Sequence, residues 1–233
     1  MRYTTLVDAK TLDRHLDDPG WRVFDVRHQL ADVTYGLAAF KAGHVPGALF
    51  LHCDHDLSGP KSGSNGRHPL PDPVVLAGKL SACGVDAATQ VVVYDDAQGM
   101  IAGRLWWLLR WLGHEAVAVL DGGFQTWIAQ GGPVTDSVRL PRPALFLQRP
   151  ATTEAVDVAA VLAGLQSRAI RIVDARSPDR FRGENETIDP VGGHIPGAGN
   201  RFFRDNLGPD GCFKAPTVLR TEWLAQLGDA LPE

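Results

Sequence analysis

A chain that contains the same six-residue turn twice, in register with a second shared motif, is built by duplication. Gly43-His44-Val45-Pro46-Gly47-Ala48 returns as Gly193-His194-Ile195-Pro196-Gly197-Ala198, 150 residues later. Val23-Phe24-Asp25-Val26-Arg27 returns as Ile172-Val173-Asp174-Ala175-Arg176, 149 residues later, and Val7-Asp8 returns as Val156-Asp157 at the same offset. A period of that length calls for two copies of one domain rather than a solenoid of short repeats. The spacing predicts a first domain over 1–135, a linker over 136–151 and a second copy over 152–233. The stretch Gly131–Pro150 between the copies carries Pro133, Pro141, Pro143 and Pro150, which resist helix and central strand.

Each copy opens with a helical pattern: Ala9, Leu12 and Leu16 in the first, Val158, Val161, Leu162 and Leu165 in the second. A short apolar strand then ends at the Asp-x-Arg. In the first copy the alternation continues with a helix at Val74–Leu80, an apolar strand at Val91–Tyr94, a helix at Arg104–Leu112 and a strand at Val117–Leu120. Gly122-Gly123 leads into the segment holding Trp127. Apolar strands alternating with helices predict an α/β class, a mostly parallel sheet covered on both faces.

Hydrophobic residues make up 44% of the chain and charged residues 21%, enough apolar content for a packed core. The net charge of −4 and the lack of a Lys/Arg stripe argue against nucleic acid as a partner. No apolar run approaches the ~18–20 residues of a membrane span. Met1 to Asp8 shows no signal-peptide pattern. The three cysteines, Cys53, Cys83 and Cys212, are odd in number and spaced unlike a metal site, so reduced thiols in a cytoplasmic protein are expected. The oligomeric state is not legible.

Asp-x-Arg at a strand end, the doubled turn, and Leu120-Asp121-Gly122-Gly123-Phe124 with Trp127 together resemble rhodanese-like domains, specifically the tandem-domain thiosulfate and 3-mercaptopyruvate sulfurtransferases. The resemblance implies two tandem domains, the first inert and the second active. It also implies a sulfurtransferase without a cofactor or metal, which takes sulfur from a small anionic donor, thiosulfate or 3-mercaptopyruvate. A cysteine persulfide then passes the sulfur to cyanide or a thiol.

In such a domain the cysteine opens a loop of backbone N–H groups after a central strand, at a helix N-terminus that stabilises the thiolate. In the first copy Asp95 holds that place. In the second copy Pro216-Thr217-Val218-Leu219 echoes Pro73-Val74-Val75-Leu76, and Leu227-Gly228 echoes the region of Gly84. By that register the cysteine is expected near ~240, beyond Glu233, which leaves the second domain partial and without its active-site strand and loop.

By the same resemblance Arg180, four residues after Arg176, grips the donor, with Arg182 a weaker candidate. The first-copy counterpart of Arg180 is Ala31. Mercaptopyruvate-preferring members carry a second arginine further along, where this chain has Asp189. Some members add a first-domain histidine and aspartate, roughly matched by His68 and by Asp54 or Asp56. His44, His194 and the two Asp-x-Arg pairs read as structural.

Other chemistry finds less support. A cysteine-phosphatase loop on Cys53 would need arginine at position 59, which is Gly59. His52, Cys53, His55 and His68 fit no common zinc spacing. Gly59–Gly66 is glycine-rich but is not a P-loop. Cys83 and Cys212 read as inert. The rival to an enzyme is a non-catalytic rhodanese-like module that binds an anion or a sulfur-carrying partner through Arg180.

Overall fold

The computed structural model describes residues 2–167 and 170–228; Glu233, from which the expected cysteine is counted, lies outside the described residues. The chain forms two units, Met1–Glu154 and Ala155–Glu233.

The first unit runs β1 (Leu6–Val7), α1 (Ala9–Asp13), β2 (Trp21–Asp25), α2 (Tyr35–Ala42), β3 (Leu49–Phe50), α3 (Pro73–Ala82), β4 (Gln90–Tyr94), α4 (Ala102–Trp111), β5 (Val117–Leu120) and α5 (Gly123–Ala129). The strands form one parallel sheet in the order β1-β5-β4-β2-β3. All five residues of β4 and all four of β5 are buried, as expected of central strands covered on both faces. Successive side chains go to opposite faces, so Val91 and Val93 join the core with Leu105, Leu108 and Leu109 of α4. Val92 and Tyr94 join the core on the other face with Leu12, Phe40 and Trp127. Asp72 starts α3 by accepting the N–H groups of Val74 and Val75, with Pro73 at the first helical position.

The proline-rich stretch read as a linker is packed against the first unit. Ala144 N donates to Ser81 O, Phe146 N to Ser81 Oγ, and Arg149 N to Leu112 O. Phe146 is 6% exposed and belongs to the core cluster of α3 and α4. Proline removes donors, yet the residues between the prolines still find acceptors on the unit they follow, and one aromatic side chain fixes the path. Phe146→Ala should therefore cost the first unit about 3 kcal/mol, the low end for a buried Phe. A denaturation midpoint equal to wild type would show that the strap contributes nothing to its stability.

The second unit contains α6 (Val158–Ser167), β6 (Val173–Asp174), α7 (Pro178–Arg182), β7 (Gly199–Asn200), a 3₁₀ turn (Phe203–Asn206) and α8 (Pro216–Leu227). β6 and β7 pair in parallel, Val173 with Gly199 and Asp174 with Asn200. They repeat the β2–β3 pairing of the first unit. No described helix is long and apolar enough to cross a membrane.

Candidate active site

The two shared motifs are wired to each other in the same way in both units. In the first, Arg27 bonds Asp25 through Nε and Nη2, and Nη2 also donates to Gly43 O at 2.7 Å. In the second, Arg176 bonds Asp174 and donates to Gly193 O at 2.6 Å. Each arginine thus ties its strand end to the first residue of the GH[VI]PGA turn. His44 and His194 act likewise. Their Nδ1 atoms meet the carbonyls of Phe40 and Phe181 at 2.8 and 2.7 Å, and their rings stack on those same phenylalanines. Gly47 and Gly197 sit at φ +78° and +86°, which the residue after the turn proline must adopt and which glycine takes without strain. These residues are structural, as the sequence suggests.

At the C-terminal end of β4 lies the loop that opens with Asp95. Asp95 is fully buried there. Its Oδ1 accepts the N–H groups of Ala97 and Gly99, and its Oδ2 those of Ile101 and Ala102, all at 2.7–2.9 Å. The last two amides belong to the start of α4, so the loop is an anion nest at a helix N-terminus. The anion it holds is the protein's own carboxylate.

The neighbouring strand ends of β2 and β3 gather His28, Cys53, Asp54 and His68. His68 Nε2 lies 3.1 Å from Asp54 Oδ1, and His28 Nε2 lies 3.8 Å from Asp54 Oδ2. The structure thus separates the two candidate aspartates. Asp54 meets His68, whereas Asp56 bonds Lys79 Nζ and the N–H of His52. Arg104 of α4 pins the loop carrying His68 by donating to the carbonyls of Leu57, His68 and Pro69. Burial pushes the pKa values of His28 and His68 below the ordinary imidazole value, against the pull of Asp54. Burial acts to raise that of Asp54, but His68, His28 and Lys61 outweigh it and leave it lowered.

His28 was missed by sequence reasoning. The only available signal was its place directly after Asp-x-Arg.

Neither Cys53 nor Cys83 sits in an activating site. Burial raises the pKa of both Cys53 and Cys83, and Cys83 caps α3 at its C-terminal end, where a thiolate is disfavoured. Cys212 lies in the turn after the 3₁₀ segment.

In the second unit Arg180 lies on α7 and is clamped by two carboxylates. It bonds Glu186 through Nε and Nη2 at 2.9–3.1 Å and Asp189 Oδ2 at 3.0 Å. Glu186 is held at a pKa of about 2, chiefly by the N–H of Asp189, then by that of Ile188 and by Arg180, against its own burial. Glu186 therefore stays ionised at any ordinary pH. Arg182 points to Glu184 at the surface.

A parallel sheet of order β1-β5-β4-β2-β3, with Asp-x-Arg tied to the GH[VI]PGA turn and an anion nest after β4, defines a rhodanese-like α/β domain. The Rhodanese-like domain family matches residues 8–130. The chain is 44% identical over 229 residues to a protein described as a probable 3-mercaptopyruvate sulfurtransferase from Pseudomonas aeruginosa, covering 97% of this chain and 81% of that one. It is 33% identical over 238 residues to the thiosulfate sulfurtransferase of Bos taurus, covering 97% and 78%. The crystal structure of SseA from Escherichia coli, a 3-mercaptopyruvate sulfotransferase with the rhodanese fold, superposes with a TM-score of 0.83 at 29% identity, over 98% of this chain and 85% of that one. This chain belongs to the rhodanese-like sulfurtransferase family.

Proposed function

We propose that this protein moves a sulfane sulfur from thiosulfate or 3-mercaptopyruvate to cyanide or a thiol, through a persulfide on a second-domain cysteine beyond Glu233. Its 44% identity to the Pseudomonas relative over nearly its whole length carries this reading. The filled nest at Asp95 supports it, because it leaves the first unit without a nucleophile and gives it a supporting role. Arg180 grips the donor. Its guanidinium offers two parallel N–H groups to a thiosulfate or carboxylate, and its partners Glu186 and Asp189 preset its direction. The donor must displace these carboxylates, since Glu186 does not protonate in the working range.

His68, oriented by Asp54, supplies a neutral imidazole for a proton on the donor or acceptor. Asp56 and Arg182 are engaged elsewhere and take no direct part. Cys53 and Cys83, neither in a disulfide, support a reducing compartment such as the cytoplasm.

The test is thiocyanate release from thiosulfate and cyanide, with pyruvate release from 3-mercaptopyruvate in parallel. Residues 1–233 alone should show no turnover. A chain carrying the cysteine-bearing continuation should turn over, and in it Arg180→Ala should weaken donor kcat/KM by roughly 1.5–3 kcal/mol, the range for a charge-assisted hydrogen bond. Unchanged donor kinetics would remove Arg180 from the site. Turnover by residues 1–233 that disappears in Cys53→Ser would relocate the nucleophile.

A further inference from the structure

We propose that Asn65 is a site of spontaneous deamidation: its side-chain amide is lost to attack by the backbone nitrogen of Gly66, which leaves an aspartyl or isoaspartyl carboxylate at the tip of the loop between β3 and α3. The chain has four asparagines, and only Asn65 is followed by glycine. Asn185, Asn200 and Asn206 precede Glu186, Arg201 and Leu207, whose side chains crowd the nitrogen that must attack. Gly66 carries no such side chain, and it sits at a φ of +81° that glycine takes without strain. Asn65 and Gly66 are both exposed, in a stretch without helix or strand. A carbon added at Gly66 would meet nothing within 4 Å, so nothing packs over it. Among the described residues the Gly66 N–H donates to no backbone carbonyl.

The Asn65 amide makes two hydrogen bonds of its own. Oδ1 accepts the N–H of Ser62 at 2.8 Å, and Nδ2 donates to Pro60 O at 3.0 Å. Both are exposed to water, which replaces such bonds at modest cost, so the side chain can turn toward Gly66. In the reaction Gly66 N adds to Asn65 Cγ, a C–N bond forms and the Cγ–Nδ2 bond breaks. The proton of the Gly66 N–H leaves, by way of water, with the ammonia. The cyclic imide then takes up one water. Opening at one carbonyl gives aspartate, and opening at the other gives isoaspartate, in which the backbone runs through the side-chain carbon. No oxidant or reductant takes part.

The change stays local because the loop is closed below its tip. Gly59 N donates to Pro69 O at 3.1 Å, and Arg104 donates to the carbonyls of Leu57, His68 and Pro69. A carbon added at Gly59 would meet Leu70 O at 2.5 Å, which shows how closely the two ends of the loop pass. A loop whose ends are joined in this way keeps its path while its tip stays open to chemistry. The product therefore accumulates as folded protein carrying one more negative charge.

Incubating purified residues 1–233 in mildly alkaline buffer at physiological temperature tests this without any sulfur-transfer assay, so its outcome is independent of the proposed reaction. A more acidic species is expected on isoelectric focusing. It should form faster as the pH rises, because the attacking nitrogen must lose its proton. Peptide mapping should place an amide-to-acid mass gain on the peptide that contains Asn65, and its isoaspartyl form should accept a methyl group from a protein isoaspartyl methyltransferase. The mass gain separates it from isomerisation at Asp121-Gly122 or Asp210-Gly211, which changes no mass. Asn65→Gln should lose the acidic species, and Asn65→Asp should unfold at the wild-type denaturation midpoint. If a synthetic peptide spanning residues 61–69 converts while the folded chain does not, the loop protects Asn65 and the site is overturned. A mass gain at Asn185 equal to that at Asn65 would overturn it as well, and a lowered midpoint in N65D would overturn its confinement to the tip.

Discussion

Asp95→Ala should strongly destabilise the first unit. The substitution removes a buried carboxylate and strands four backbone N–H groups, those of Ala97, Gly99, Ile101 and Ala102. The N–H groups of Ile101 and Ala102 are buried and cost about 1–3 kcal/mol each when unsatisfied, while those of Ala97 and Gly99 are part-buried and cost less. A loss of about 2–6 kcal/mol is expected, a large part of the ~5–15 kcal/mol that holds a domain together. Asp95→Asn should fall between the two, because one of its two positions now presents a donor to amides that are themselves donors.

The same geometry makes a second outcome specific. Formate added to Asp95→Ala should recover part of the lost stability by taking the vacated place, whereas equal chloride should do so less, lacking two oxygens to share among four donors. Asp95→Cys should yield a thiol whose pKa lies below the ~8.5 of free cysteine, read from thiolate ultraviolet absorbance against pH. If Asp95→Ala melts with the wild type, or if the introduced cysteine titrates as a free thiol, the loop is not the anion nest described.

How much of this could be read from the chain follows from where each signal is stored. β4 and β5 are legible because a strand buried on both faces needs an unbroken apolar run, and Val91-Val92-Val93-Tyr94 and Val117-Ala118-Val119-Leu120 supply it. The Asp-x-Arg pairs and the turn histidines are legible because they recur. β1 and β3 are two residues each and carry no pattern of their own; their partners across the sheet define them. α2 is invisible to periodicity, since only Gly36 and Phe40 of its eight residues are buried. Gly36 sits where a side-chain carbon would meet Arg27 O at 1.9 Å.

The choice between Asp54 and Asp56 turns on loop path, not on residue type, and so it needed the structure. The same holds for Phe146, whose apolar character in a proline-rich stretch does not say which surface it covers. Asp189 was legible as a departure from the mercaptopyruvate pattern. Its bond to Arg180, which turns an expected second cation into a competitor for the first, was not.

The other large effect is a contrast in hydrogen exchange within residues 1–233. In the first unit the amides of Gln90, Val91 and Val26 donate to Gly20 O, Ala116 O and Tyr94 O across strands whose side chains are fully buried. In the second unit the amides of Gly199 and Arg201 make equivalent bonds to Ile172 O and Asp174 O. Their surroundings differ. Every apolar side chain of the buried core among the described residues lies at or before Phe146, while Val156, Val158, Leu162, Val191, Ile195, Val218 and Leu224 are exposed.

Opening free energy follows buried apolar contact, from near zero in thinly packed segments to the global value in core strands. Gly199 and Arg201 should therefore exchange faster than Val91 by about three orders of magnitude or more, the equivalent of roughly 4 kcal/mol. The Asp174–Arg176 tie does not close that gap. It repeats the Asp25–Arg27 geometry, but its arginine is 28% exposed against 5% in the first unit, and an ion pair open to water holds a segment weakly. Equal protection of Gly199 and Val91 would show that the second unit is held as firmly as the first by contacts other than a buried apolar core.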